Sequence, residues 1–211
     1  LGTFLYILYP YLLGHSFFNL KDIPFLSAWL VCTYLSFKII NIYIDKNFFS
    51  LKYVFLLSVL TAFLISIRIS GVLIFLQLFI TLIIFFLTYS IQKEKIKSFI
   101  LTIFFYVFFT ILFIIFLYPI SWNNPLELFN AIKFMSNHYN DVCTMVLGKC
   151  IESKNLDPTY IPTWIILKLP IFILVGLVLL PFIEKKVMTD SKNKIFFGTL
   201  LSSAFIIPFF L

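Results

Sequence analysis

Seven apolar runs, each closed by a short polar break, limit the fold of this chain more than any single motif. They lie at residues 1–13, 23–42, 53–66, 72–89, 98–118, 161–183 and 194–211. Apolar runs of about 18 residues or more read as membrane spans, because lipid leaves the backbone no partner outside its own helix. Composition agrees. The chain is 62% hydrophobic and only 12% charged, against about a quarter charged in ordinary soluble domains. Its mean hydropathy is +1.06. The chain begins at Leu1, inside an apolar run with no basic stretch before it, and stops at Leu211 inside another. The expectation is a piece of a longer polytopic protein without a signal peptide.

The net charge of +7 does not indicate nucleic acid. The basic residues fall in short clusters between spans, and no nucleic-acid motif or arginine-rich run accompanies them. Alternate breaks at 38–52, 90–98 and 184–194 hold Lys38, Lys46, Lys52, Lys93, Lys95, Lys97, Lys185, Lys186, Lys192 and Lys194. The other side holds Lys21, Arg68, Lys133, Lys149, Lys154 and Lys168, spread over far more chain. Short lysine-rich loops stay in the cytoplasm. The segment 14–24, the turn Arg68-Ile69-Ser70-Gly71 and the long break 120–160 are therefore expected to face outward.

These considerations predict an all-α fold. Residues 1–211 form a polytopic membrane helical bundle, with an extracytoplasmic loop region at 120–160. Within that region Pro125 to Ser136 reads as an amphipathic surface helix, and Trp122 suits the membrane interface. Val142 to Ile151 reads as a β-hairpin around Leu147-Gly148-Lys149. Cys143 and Cys150 flank that turn and are either a disulfide or two thiols, which spacing does not decide. Cys32 lies within a span and reads as packing. No Cys or His cluster has zinc-ligand spacing.

The polar island Gly14-His15-Ser16-Phe17-Phe18-Asn19-Leu20-Lys21-Asp22-Ile23-Pro24 holds the first acid of the chain. A carboxylate at the mouth of a span either caps the helix or serves a site, and Asp22 is open to both readings. Lys21 is the adjacent candidate to neutralise it. His15 is either a metal or phosphate partner or a satisfied structural histidine, and His138 reads as solvated. Tyr160 and Trp164 read first as interface aromatics. Glu127, Asp141, Glu152 and Asp157 read as solvated loop charges.

Four stretches resemble the GT-C superfamily of membrane glycosyltransferases, which includes protein O-mannosyltransferases and the lipid A aminoarabinose transferase. His15 to Asp22 is similar to an outer loop that places an acid before a span. Arg68-Ile69-Ser70-Gly71 is similar to a basic residue followed by Gly between two spans. Tyr118-Pro119-Ile120-Ser121-Trp122-Asn123-Asn124-Pro125 resembles the exit into an outer loop. Thr159-Tyr160-Ile161-Pro162 with Lys168-Leu169-Pro170 resembles a YxP…KxP entry to a later span. The resemblance implies sugar transfer from a polyprenyl-phosphate-linked donor to a lipid, glycan or protein acceptor. The reaction would occur on the outer face of a membrane such as the bacterial inner membrane. It implies a catalytic base in an earlier outer loop that this chain does not contain. It places Asp22 at the second acidic position, holding the donor phosphate or a divalent Mg²⁺ or Mn²⁺, with no organic cofactor. Arg68, Lys168 and Lys21 become phosphate partners, with His15 and Tyr160 as further candidates.

Two other classes fit many spans. A transporter or flippase of lipid-linked sugars would break helices near the membrane midplane and repeat its halves. Gly71 and Pro170 instead lie near span ends, and no internal repeat is seen. A polymerase or ligase of surface saccharides would be expected to carry arginine-rich outer loops, and Arg68 is the lone arginine of this chain.

Overall fold

The computed structural model describes residues 14, 17–18, 20–46, 48–89, 96–119, 122–124, 126–138, 143–146, 148–168, 171, 174–176, 179 and 191–206. The expected span at 1–13, His15, Asp141 and most of the 90–98 and 184–194 breaks lie outside the described residues. So do the side chains of Lys168 and His138.

The described chain is helical apart from one hairpin. Helix α1 is Asp22–Lys46, α2 is Leu51–Ile67, and a 3₁₀ turn at Ile69–Leu73 leads into α3, Ile74–Thr88. Helix α4 is Ile96–Leu117, α5 is Glu127–His138, α6 is Tyr160–Lys168 and α7 is Ser191–Ile206. Three stretches are long and apolar enough to cross a membrane, namely Asp22–Lys46, Ile69–Thr88 and Ile96–Leu117, with Leu51–Ile67 a shorter apolar helix. The chain is a helical membrane protein.

Helix α1 runs past Ile42, where the apolar run ends. Its last turn is held from outside the run. Lys46 sits at the negative end of the helix dipole. Asp45 forms an ion pair with Lys192 in the first turn of α7. For the same reason α7 begins at Ser191, three residues before its apolar stretch. Lys38 is therefore a helix residue and not a loop residue. Its ammonium lies 4.5 Å from the centre of the Tyr53 ring.

Helices α1 and α2 form an antiparallel hairpin, and α2 also packs along α4. The α2–α4 pair is parallel. Phe49 meets Phe99 at one end, the Ser58 hydroxyl donates to the Tyr106 carbonyl at 3.2 Å in the middle, and Ile65 clusters with Ile114 at the other end. A parallel pair with α3 antiparallel between them is what alternate crossing of a bilayer requires. Helix α7 lies against α3 and α1. The core stripe of α1 is Phe25, Ala28, Trp29, Cys32, Leu35 and Ile39, at helical spacing.

Small and polar residues occupy the crossings, as membrane helices require for close approach. Ser58, Thr61 and Ala62 of α2 are fully buried. The Thr61 hydroxyl and the Tyr106 hydroxyl lie 3.1 Å apart, joining α2 to α4. Gln77 donates to Thr33 at 2.8 Å, joining α3 to α1. Each such bond stabilises by about 0.6 kcal/mol. Helix α4 is the least buried of the three long apolar stretches, with 11% of its apolar window buried.

Candidate functional site

The charged site is built where α2 turns into α3. Arg68 follows the last residue of α2 in extended conformation, and its amide donates to the Leu64 carbonyl. The Gly71 amide then donates to the Arg68 carbonyl at 2.9 Å, closing the 3₁₀ turn. Gly71 is buried, and a Cβ there would lie 2.9 Å from the Leu64 carbonyl oxygen and 3.0 Å from the Ile65 Cα. Only glycine lets this turn lie directly on the end of α2. The arrangement aims the Arg68 side chain across the hairpin to the start of α1.

There Arg68 Nη1 donates to Asp22 Oδ1 in an ion pair. The guanidinium also lies 5.9 Å from the centre of the Phe25 ring, one turn into α1. The pair is only partly shielded, with side chains 26% exposed for Arg68 and 38% for Asp22. Solvent or a ligand can therefore reach both groups.

Asp22 is the first residue of α1, not the residue before it. The Phe25 amide donates to the Lys21 carbonyl at 3.0 Å, so the chain enters the helix at Lys21. The carboxylate is thus in the first turn, where the dipole favours it, and it is also engaged by a guanidinium. Arg68, 46 residues away in sequence, brings its guanidinium to the carboxylate.

The 120–160 segment packs on the same end. Helix α5 packs on the 3₁₀ turn Ile69–Leu73. Asn124 starts α5 by accepting the Leu126 amide on its side chain and the Glu127 amide on its carbonyl. Tyr118 packs against the Ala62–Ile65–Ile114 cluster. Trp122 folds back to donate its indole N–H to the Ile115 carbonyl at 2.7 Å, satisfying an orphan acceptor in the last turn of α4. Thus Asp22, the Arg68 turn and the start of the 120–160 segment share one end of the bundle.

Beyond α5, strands β1 (Cys143–Val146) and β2 (Lys149–Glu152) pair antiparallel, with Met145 opposite Cys150 and Gly148 in the turn at φ 82°. A disulfide joins Cys143 and Cys150, whose Cα atoms are 5.5 Å apart. The nearby acids have local structural roles. Glu152 pairs with Lys154 at 3.3 Å. Asp157 accepts the Thr159 amide and hydroxyl, both at 2.8 Å, ahead of α6. Those two hydrogen bonds, the backbone one foremost, hold its carboxyl below the usual carboxylate range.

Tyr160 opens α6 and Lys168 ends it, so the two lie about 12 Å apart along the helix axis. No described interaction brings Tyr160 to Asp22. Among the described residues no three His, Cys, Asp or Glu side chains converge, and the Asp22 carboxylate carries the Arg68 guanidinium.

Sequence reasoning did not find the Asp45–Lys192 pair or the Gln77–Thr33 bond. A lone amide in the run Ile74-Phe75-Leu76-Gln77-Leu78-Phe79 is a signal that could have found the second. Fold and site together define a helical membrane protein with an accessible ion pair at one end of its bundle. No family model, curated protein or solved structure matches this chain.

Proposed function

We propose that this chain is part of a membrane glycosyltransferase that moves a sugar from a polyprenyl-phosphate donor to an acceptor on the outer face of the membrane. The carrying observation is the Asp22–Arg68 pair, a partly open guanidinium held by a carboxylate at the mouth of a span. Intramembrane charge retained in this way usually serves a function. The motif order that resembles GT-C enzymes supports the same reading. The sidedness rests on the lysine-poor character of this end and on the disulfide in its hairpin, a bond that persists in oxidising compartments. The compartment on this reading is the space outside the bacterial inner membrane.

Transfer breaks the bond between the sugar's anomeric carbon and a phosphate oxygen, and forms one to an acceptor oxygen. The leaving phosphate gathers negative charge. Arg68 has a planar fork of donors, of which Nη1 serves Asp22 and the rest can face phosphate oxygens. Asp22 fixes the fork before substrate arrives, so little reorganisation remains for the transition state. The acceptor proton goes to a base that the resemblance places in an earlier loop. Lys168 and Lys21 are further cations for the phosphate, and Tyr160 and His15 are candidates for the donor's surroundings.

Binding of a short-chain polyprenyl phosphate to the purified full-length protein tests the reading. Arg68→Gln should abolish measurable binding, and Arg68→Lys should weaken it because an ammonium cannot make the bidentate contact. Equal affinity in all three proteins would remove Arg68 from the site.

A further inference from the structure

At the end of α2 opposite to Arg68, about 25 Å away along the helix, the lipid-facing surface carries a groove between α2 and α4. Its walls are Leu51, Val54, Phe55, Phe105 and Phe109, its charged lining residue is Lys52, and its volume is about 410 Å³. Phe55 and Phe109 meet edge to face with ring centres 5.2 Å apart, so one wall is a fixed aromatic contact. The walls offer an apolar tail no hydrogen-bonding partner and ask for none.

The surroundings of Lys52 are cationic. Helix α2 has no acid in its first turn, which is also the positive end of its dipole. Lys38 of α1 lies over the ring of Tyr53, the residue next to Lys52. Lys46 ends α1. The nearest acid in sequence, Asp45, is paired with Lys192. An apolar groove that opens beside a lysine in such a setting matches one kind of molecule, a lipid with an anionic head and a hydrocarbon tail.

We infer that this groove is a binding site for an anionic phospholipid, with an acyl chain between α2 and α4 and the headgroup phosphate on Lys52. The inference does not depend on the proposed sugar transfer. The site would anchor the lysine-rich end of the bundle in the bilayer, while the Asp22 end stays free for substrate.

The test uses full-length protein in nanodiscs of mixed phosphatidylcholine and phosphatidylglycerol, released into a native mass spectrometer. The parent should retain phosphatidylglycerol in preference to phosphatidylcholine. Lys52→Gln should lower that preference about fivefold, the worth of one lysine near an anionic headgroup, and Lys52→Arg should keep it. Lys46→Gln is the control, because Lys46 does not line the groove. Lys52 is exposed, so its substitution leaves the fold intact. An equal loss from Lys46→Gln and Lys52→Gln would show general surface attraction and overturn the site. So would the absence of any lipid preference in the parent.

Discussion

Asp22→Asn separates chemistry from packing more cleanly than any other change in this protein. Asn keeps the shape of the side chain and removes the charge that Arg68 meets. The structural cost follows from exposure. With the two side chains 26% and 38% exposed, water screens the pair, and such pairs contribute about 0–1 kcal/mol. Losing a negative charge from the first turn of α1 adds about 0.3–1 kcal/mol. For a chain of this length the sum lowers the unfolding midpoint by only about 1–8 °C. The functional cost is of another size. If Asp22 fixes the fork that meets the leaving phosphate, its loss should slow sugar transfer about 10²-fold, the scale of losing one well-placed electrostatic group. The assay pairs thermal unfolding in detergent with sugar transfer by the same preparation of full-length protein. Wild-type transfer by Asp22→Asn would refute the reasoning and leave Asp22 as a charge at a helix start. A collapse of the unfolding midpoint with no folded protein left would also refute it, because it would make the pair structural.

Other outcomes follow from the same geometry. Gly71→Ala sets a methyl against the Leu64 carbonyl and the Ile65 backbone, neither of which can rotate away, so it should cost about 1–3 kcal/mol, seen as a lower unfolding midpoint. Asp157 has a lowered pKa, so its support for the start of α6 is complete above the ordinary carboxylate pKa. That support is lost as pH falls through the lowered value, and faster hydrogen exchange at the Thr159 amide on acidification, absent in Asp157→Asn, would show it. Single cysteines placed at Phe48, Glu94 and Asp190 should be labelled from the cytoplasmic side in cells, and labelling of all three from outside would invert the orientation.

Much of the fold was legible because lipid permits so few structures. Apolar runs located α1 to α4 to within a few residues, and Gly-bearing turns located the α2–α3 corner and the hairpin. The ends of α1 and α7 were not legible, since their polar last and first turns are held by Asp45 and Lys192, 147 residues apart. Helix partners were not legible either. Spans that are apolar all round show no stripe to say which face meets which neighbour, and the small and polar residues that decide it, such as Ser58 and Thr61, stand out only once their partners are known. At the site, sequence proximity offered Lys21 for Asp22, while the reach of Arg68 to Asp22 depends on antiparallel α1 and α2, which bring the start of one beside the end of the other.

The role proposed for the Asp22–Arg68 end is transfer from a lipid phosphate. Its most direct test is the rate at which full-length protein, reconstituted in vesicles, releases polyprenyl phosphate from a polyprenyl-phosphate sugar when acceptor is present. Acceptor-dependent release by the parent and a loss of about 10²-fold or more in Arg68→Gln are expected, with both proteins equally folded. Release at the parent rate by Arg68→Gln, or none by the parent with any lipid-linked sugar, would contradict it.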